Sequence, residues 1–365
     1  MIYVQDTEAF FLNRCKRFLT ALKERGADAA LISRFENMRW LTGYTGEGCL
    51  FVAEDTAVIL TDFRYVEQVE RQAPECTCVR TRNGVTPQQA VKELMQARGL
   101  TSLRLETNFM SHDEFLSWQE ALEGVALEPL ASLPEQLRIV KDQDELDLIA
   151  RAGKIACDAF DYILGYAKPG MTEKQVQIAL DYKMLELGSE RNAFSTIAAA
   201  GVNGSLPHAI PSDYVIQPGD LITLDFGAQV NGYKSDMTRT FGFGKVSDEL
   251  KDIYNTVLEA HLKVLDAIKP GASCRGLDSL AREIIDAKYP GAFGHSLGHG
   301  VGLYIHEWPR LSQTSDEILA PGHVVTDEPG IYVPGLGGVR IEDTVFVTET
   351  GYIDPITAPK QLIEL

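Results

Sequence analysis

Apolar positions recur at helical spacing from 8 to 25, placing Phe11, Leu12, Cys15, Phe18, Leu19 and Leu22 on one stripe with basic residues between them. Gly26 stops that helix, and Ala29-Ala30-Leu31-Ile32 reads as a buried strand. Short apolar runs at 50–53, 57–60 and 102–105 predict further strands, and helical stretches are expected at about 64–72 and 86–98. This alternation predicts a small α/β domain ending near residue 130. Residues 133–141, opening on Leu133-Pro134-Glu135, read as a linker, so a first domain over 1–132 and a second over 142–365 are expected.

From Asp142 a long helix passes Ile149, Ile155, Ala156 and Phe160 and stops at Lys168-Pro169-Gly170. The run Lys168-Pro169-Gly170-Met171-Thr172 is echoed by Lys269-Pro270-Gly271-Ala272-Ser273. Each copy follows an amphipathic helix and offers a hydroxyl to cap the next. Chance recurrence of a common turn, and a domain of two related halves with a site between them, both stay open.

A chain of 365 residues agrees with two domains, and a 45% hydrophobic, 24% charged composition is that of a soluble globular protein. The net charge of -18 argues against a nucleic-acid partner, which needs clustered Lys and Arg. No basic-then-apolar leader and no apolar run approaching membrane length is found, so a cytoplasmic protein without membrane association is expected. Cys15, Cys49, Cys76, Cys78, Cys157 and Cys274 lack metal-site spacing and read as free thiols rather than disulfides.

The chemistry concentrates in two hairpins. Around Asn231-Gly232, a strong hairpin turn, Asp225 pairs with Thr238 and Asp236 with Gly227. Both carboxylates then project to one side, roughly 7–8 Å apart at the backbone. Such a pair repels unless a cation or proton lies between. Leu221, Thr223, Asp225 and Gly227 share a face, and the other face is apolar too, which weakens the alternative of two surface aspartates. In the second hairpin, Glu328-Pro329-Gly330 leads through a turn near Gly335 to Arg340-Ile341-Glu342-Asp343, placing Glu328 and Glu342 nearly opposite on one face. Val339 and Ile341 point to the core, Asp343 reads as an outward charge, and Asp327 has no clear place. Between the hairpins, three of the seven histidines (His295, His299, His306) fall among close-packed glycines. Those glycines match neither a dinucleotide nor a P-loop pattern. Asp225, Asp236, His299, Glu328 and Glu342 thus offer four carboxylates and one imidazole, suited to two divalent cations about 3.5–4 Å apart. Oxygen-rich coordination favours Mn²⁺ or Co²⁺ and leaves Zn²⁺ open.

This pattern of Asp, ten residues, Asp, then Gly-His-Gly, Glu-Pro-Gly and Arg-Ile-Glu-Asp resembles the pita-bread metallopeptidases, and among them the proline peptidases. The likeness covers nearly the whole chain, with Trp40-Leu41, Thr45-Gly46 and Thr61-Asp62-Phe63-Arg64-Tyr65 similar to the family's N-terminal domain. It implies an α/β N-terminal domain followed by an α+β pita-bread (creatinase/aminopeptidase) catalytic domain with internal pseudo-symmetry. It also implies that Asp236 and Glu342 bridge two metal ions, that Asp225 chelates one, and that His299 and Glu328 complete the other. His208 and His306 match substrate-site histidines, His295 and Arg340 supporting positions, and Arg310 the arginine associated with a dipeptide's free carboxylate. Glu328 would shuttle a proton to the leaving nitrogen, while His306 and His208 would donate to the developing oxyanion. The implied activity is cleavage of an Xaa-Pro bond, with a dipeptidase (prolidase) favoured over an Xaa-Pro aminopeptidase acting on longer peptides, and a homodimer as the assembly. A non-catalytic peptide-binding protein is the reading from a different class, disfavoured by the complete ligand set. Hydrolysis of another amide or ester, such as an organophosphate, would be a side activity. Two departures stand out: Tyr304 where the family commonly has an acidic residue, and Asp327 in place of an apolar one.

Overall fold

The computed structural model describes residues 7–54, 56–82 and 85–365, with the side chains of residues 7–12 outside the description. Two compact units divide the chain, Met1–Leu137 and Arg138–Leu365.

The first unit runs α1 (Thr7–Glu24), β1 (Ala29–Ile32), α2 (Phe35–Thr42), β2 (Cys49–Ala53), β3 (Thr56–Thr61), α3 (Val66–Gln72), β4 (Thr77–Arg80), α4 (Pro87–Arg98), β5 (Ser102–Leu105), α5 (His112–Ala121), β6 (Ala126–Pro129) and α6 (Leu133–Leu137). Its mixed sheet has the order β4-β3-β2-β1-β5-β6, with β1 antiparallel to β2 and parallel to β5. All of β1 is buried, as an apolar run covered on both faces requires. Helix ends follow local chemistry: the Thr86 hydroxyl accepts from the Gln89 N–H ahead of Pro87, and Gly99 closes α4 in the left-handed region. On α1, Phe18 and Leu22 are buried as the stripe requires, whereas the side chains of Phe11 and Leu12 lie outside the described residues. Arg14, one of the basic residues between them, is buried as well, its guanidinium 5.3 Å from the Trp40 ring. The stretch expected as a linker, 133–141, includes the division between the two units. Residues 133–137 form α6, with Leu133 and Pro134 buried.

The second unit holds α7 (Gln143–Tyr166), α8 (Glu173–Glu186), β7 (Ile197–Ala200), β8 (Leu221–Phe226), β9 (Gln229–Val230), β10 (Tyr233–Lys234), β11 (Met237–Gly242), α9 (Asp248–Ala267), α10 (Cys274–Asp286), β12 (Gly298–Gly300), β13 (Glu307–Leu311), β14 (Val324–Asp327), β15 (Gly330–Val333), β16 (Gly337–Arg340), β17 (Asp343–Val347) and β18 (Tyr352–Ile353). The repeated Lys-Pro-Gly turns serve corresponding places, since Thr172 caps α8 and Ser273 caps α10. Each half has its own apolar core. Phe160, Leu180, Leu224 and Phe241 belong to the first, and Val257, Val264, Val325 and Ile341 to the second. Each such fully buried side chain contributes about 1.5–3 kcal/mol.

Both hairpins adopt the expected register. Asp225 pairs with Thr238, and Tyr233 with Val230. Asn231 and Gly232 supply the positive φ values, 45° and 80°, that the two-residue turn needs. In the second hairpin Ile331 pairs with Val339 and Val333 with Gly337. The halves meet where Thr238 bridges to Glu342. No helix among the described residues is long and apolar enough to cross a membrane, and all six cysteines are free.

Candidate active site

Asp236 precedes β11, Glu342 precedes β17, and His299 is the centre of β12. Their ligand atoms lie within 4.8 Å of one another, and the three residues are 4%, 1% and 9% exposed. Glu328 joins them, its Oε1 lying 3.4 Å from His299 Nε2, while Asp236 Oδ2 is 3.6 Å from the same nitrogen. Asp225 stands at the edge. One of its oxygens is 2.6 Å from Arg340 Nη2, and the other is buried without a hydrogen-bond partner.

The histidine reaches this floor because its neighbours have no side chains. A Cβ on Gly298 would meet the Thr326 carbonyl oxygen at 2.0 Å, and one on Gly300 the Trp308 carbonyl oxygen at 2.2 Å. The Gly-His-Gly motif is therefore a packing requirement of β12 against its neighbours. His299 Nδ1 lies 3.0 Å from the Gly300 carbonyl oxygen, which fixes the tautomer with a lone pair on Nε2. Burial lowers the His299 pKa to about 3, keeping the ring neutral.

The carboxylates behave in the opposite sense. Burial pushes Glu328 up to about 8, with the Asp225 charge adding to it. Asp236 and Glu342 are raised well above the carboxylate range, by burial first, then by Asp225 and Glu328 for Asp236 and by Asp236, Glu328 and Asp225 for Glu342. A lone pair facing two carboxylates, in a cluster of four acids that resist sharing a charge, fits divalent cations: oxygen-rich, one neutral imidazole, closely spaced.

Supporting groups hold these side chains. The Thr238 hydroxyl donates to Glu342 Oε2 at 2.6 Å, and the Thr326 hydroxyl accepts from the His299 N–H at 3.0 Å and donates to Glu328 at 3.3 Å. The Arg340 guanidinium is committed to Asp225, the Tyr332 hydroxyl (2.9 Å), Thr238 (3.1 Å) and the Pro207 carbonyl (3.4 Å). His295 reaches the Tyr332 hydroxyl at 2.8 Å, and burial lowers its pKa to about 4. Thr326 and Tyr332 have no role in the sequence reading, and Thr238 enters it only as the strand partner of Asp225. Strand alternation could have found the threonines, each two residues from a candidate ligand and so on the same face.

The rim is open. His208, His306 and Arg310 are exposed, and the His306 ring stands 4.5 Å from that of His299, edge to face. Glu307, next to His306, is buried between Arg138 and Lys141 (3.0 Å) and accepts from the Tyr304 N–H. Tyr304 itself is on the surface, with Lys234 Nζ 5.7 Å from its ring.

Two aspartates depart from expectation. Asp343, read as an outward charge, is fully buried and pairs with Arg239 at 2.6 Å, His261 at 2.8 Å and Lys360 at 2.8 Å. Ionic partners inside outweigh its desolvation, and they hold its carboxyl well below the usual range. Asp327 is buried beside His261 at 3.0 Å. Burial opposes the charge of His261, yet Asp327 and Asp343 raise it to about 9.

Known proteins match this architecture over almost its full length. Residues 147–349 match metallopeptidase family M24, and residues 14–140 match the creatinase/prolidase N-terminal domain. An Xaa-Pro dipeptidase of Pyrococcus furiosus is 36% identical, covering 93% of this chain and 96% of the relative. The structure of an Xaa-Pro dipeptidase from Bacillus anthracis is 39% identical with a TM-score of 0.94, covering 97% of this chain and 100% of that one. The X-Pro aminopeptidase structure from Thermotoga maritima is 34% identical with a TM-score of 0.89, covering 96% and 100%. With its two motif-bearing hairpins, its halves and its N-terminal domain all accounted for, the chain belongs to the M24 metallopeptidases, with the pita-bread catalytic fold, and is a hydrolase.

Proposed function

We propose that this protein is an Xaa-Pro dipeptidase in which Asp225, Asp236, His299, Glu328 and Glu342 hold two divalent cations, Mn²⁺ first among them. The convergence of Asp236, His299 and Glu342 within 4.8 Å on a buried floor carries this reading. Relatives bearing the dipeptidase name over nearly the whole chain support the substrate class. When bound, the cations would supply a water acidified toward neutrality and a Lewis acid for the scissile carbonyl.

The chain's own residues supply the rest. Glu328 takes and returns a proton, delivering it to the departing nitrogen. That nitrogen is a proline imide with no N–H, so recognition falls on other groups of the substrate. His306 and His208 at the open rim donate to the carbonyl oxygen as negative charge develops, each well-placed donor worth about 3–4 kcal/mol. Arg310 presents a planar fork to the free carboxylate of a dipeptide, the feature that separates Ala-Pro from longer peptides. Arg340 and His295 organise the floor through Tyr332. A homodimer completes the reading and rests on family resemblance alone; sedimentation velocity tests it.

Arg310→Ala discriminates between the two peptidase classes. The KM for Ala-Pro is expected to rise at least about tenfold, the loss of one charged contact. Turnover of Ala-Pro-Ala changes little. An unchanged KM for Ala-Pro, with Ala-Pro-Ala the better substrate, would overturn the dipeptidase assignment in favour of an aminopeptidase.

A further inference from the structure

Behind the ligand candidates, β14 and β17 place Asp327 and Asp343 as direct cross-strand partners. Each is the chain neighbour of a ligand candidate, Glu328 and Glu342 respectively. Carboxylates directly opposed across strands repel. His261 of α9 stands between them, Nε2 at 2.8 Å from Asp343 Oδ2 and Nδ1 at 3.0 Å from Asp327 Oδ2, and all three residues are 0% exposed.

The two acids are not equivalent. Asp343 also has Arg239 at 2.6 Å and Lys360 at 2.8 Å, and Arg239 donates to the Glu342 carbonyl at 2.7 Å. Among the described residues Asp327 has only the ion pair with His261, and neither of its oxygens makes a hydrogen bond. An apolar residue at 327 would leave Asp343 satisfied, and replacing a buried ion pair by apolar side chains is often neutral or stabilising. Stability alone thus gives no reason for Asp327 and His261. Geometry does, because the bridge spans the two strand ends from which Glu328 and Glu342 project.

We propose that Asp327, His261 and Asp343 form a positioning bridge that sets the separation of Glu328 and Glu342 for a cation pair. The proposal rests on the two-cation reading above. The bridge touches neither substrate nor ligand carboxylate; it acts by holding the backbone that carries them. Partners of this kind typically change metal affinity ten- to a hundredfold.

Two variants test it: Asp327→Asn, which keeps shape and removes charge, and the double variant Asp327→Ile with His261→Leu, which removes the pair together. Each is stripped of metal, checked for folding by near-ultraviolet circular dichroism, and titrated with Mn²⁺ by calorimetry and electron paramagnetic resonance. Both are expected to remain folded, to bind Mn²⁺ about ten- to a hundredfold more weakly, and to lose the spectrum of a coupled Mn²⁺ pair in favour of isolated ions. Wild-type affinity and a coupled spectrum in a folded variant would overturn the bridge. If the double variant does not fold, the isosteric Asp327→Asn decides alone. A wild-type chain that takes up no Mn²⁺ pair overturns the two-cation reading and the bridge together; wild-type uptake with unaltered variants overturns the bridge only.

Discussion

Glu307 is 8% exposed at its side chain, and its charge survives there because Arg138 and Lys141 meet it from the segment opening the second unit. Burial opposes ionisation, but the two cations override it and hold the pKa at about 2, against an ordinary value of 4.5. A folded pKa below the unfolded one adds stability that is fully present above about pH 4.5 and is lost as the pH falls through about 2. Glu307→Gln strips one partner and leaves two buried cations, so it is expected to cost about 3–5 kcal/mol at pH 7. Urea unfolding should show that gap narrowing between pH 4.5 and 2, because the wild type loses the same charge there. A gap independent of pH would remove the ion cluster from the account. Because Glu307 accepts from the Tyr304 N–H and neighbours His306, the same change is expected to loosen the rim.

Elements carry the site by register more than by composition. Gly227 faces Asp236 across the first hairpin, and a Cβ there would meet the Ser235 carbonyl oxygen at 1.9 Å. Gly227→Ala must part the strands just where Asp225 and Asp236 are held. Gly244→Ala is the comparison: its φ of +67° is strained, yet nothing lies within 4 Å of the added carbon. Both are expected to destabilise the fold, Gly244→Ala by about 1 kcal/mol, but only Gly227→Ala should also weaken Mn²⁺ binding. Equal Mn²⁺ affinity in the two variants would contradict the register argument. These hairpins were legible in the sequence because Asn231-Gly232 and the turn at Gly335 fix strand pairing, and pairing fixes which side chains face each other. Asp327 and Asp343 were not legible. Their burial depends on His261, Arg239 and Lys360, brought from distant parts of the chain, and local alternation carries no signal of such partners. The helix at 133–137 was not legible for a related reason, since its formation depends on the surface available to bury Leu133.

At the scale of the whole molecule, the first half of the second unit contributes Asp225 and Asp236, and the second contributes His299, Glu328 and Glu342. Each half brings its own apolar core, and the Thr238–Glu342 bridge joins them at the floor of the site. A site built this way is incomplete in either half, which is why the ligand pattern spreads over more than a hundred residues while remaining compact in space. Folding brings together acids whose burial and mutual repulsion disfavour ionisation, a repulsion that the proposed cation pair would relieve. The most direct test counts metal by mass spectrometry on wild type and Asp236→Asn after Mn²⁺ loading, with Ala-Pro turnover measured on the same samples. Two ions per wild-type chain, fewer than two in the variant, and loss of turnover with loss of metal are expected. Full Ala-Pro turnover by a metal-free Asp236→Asn protein would contradict the account.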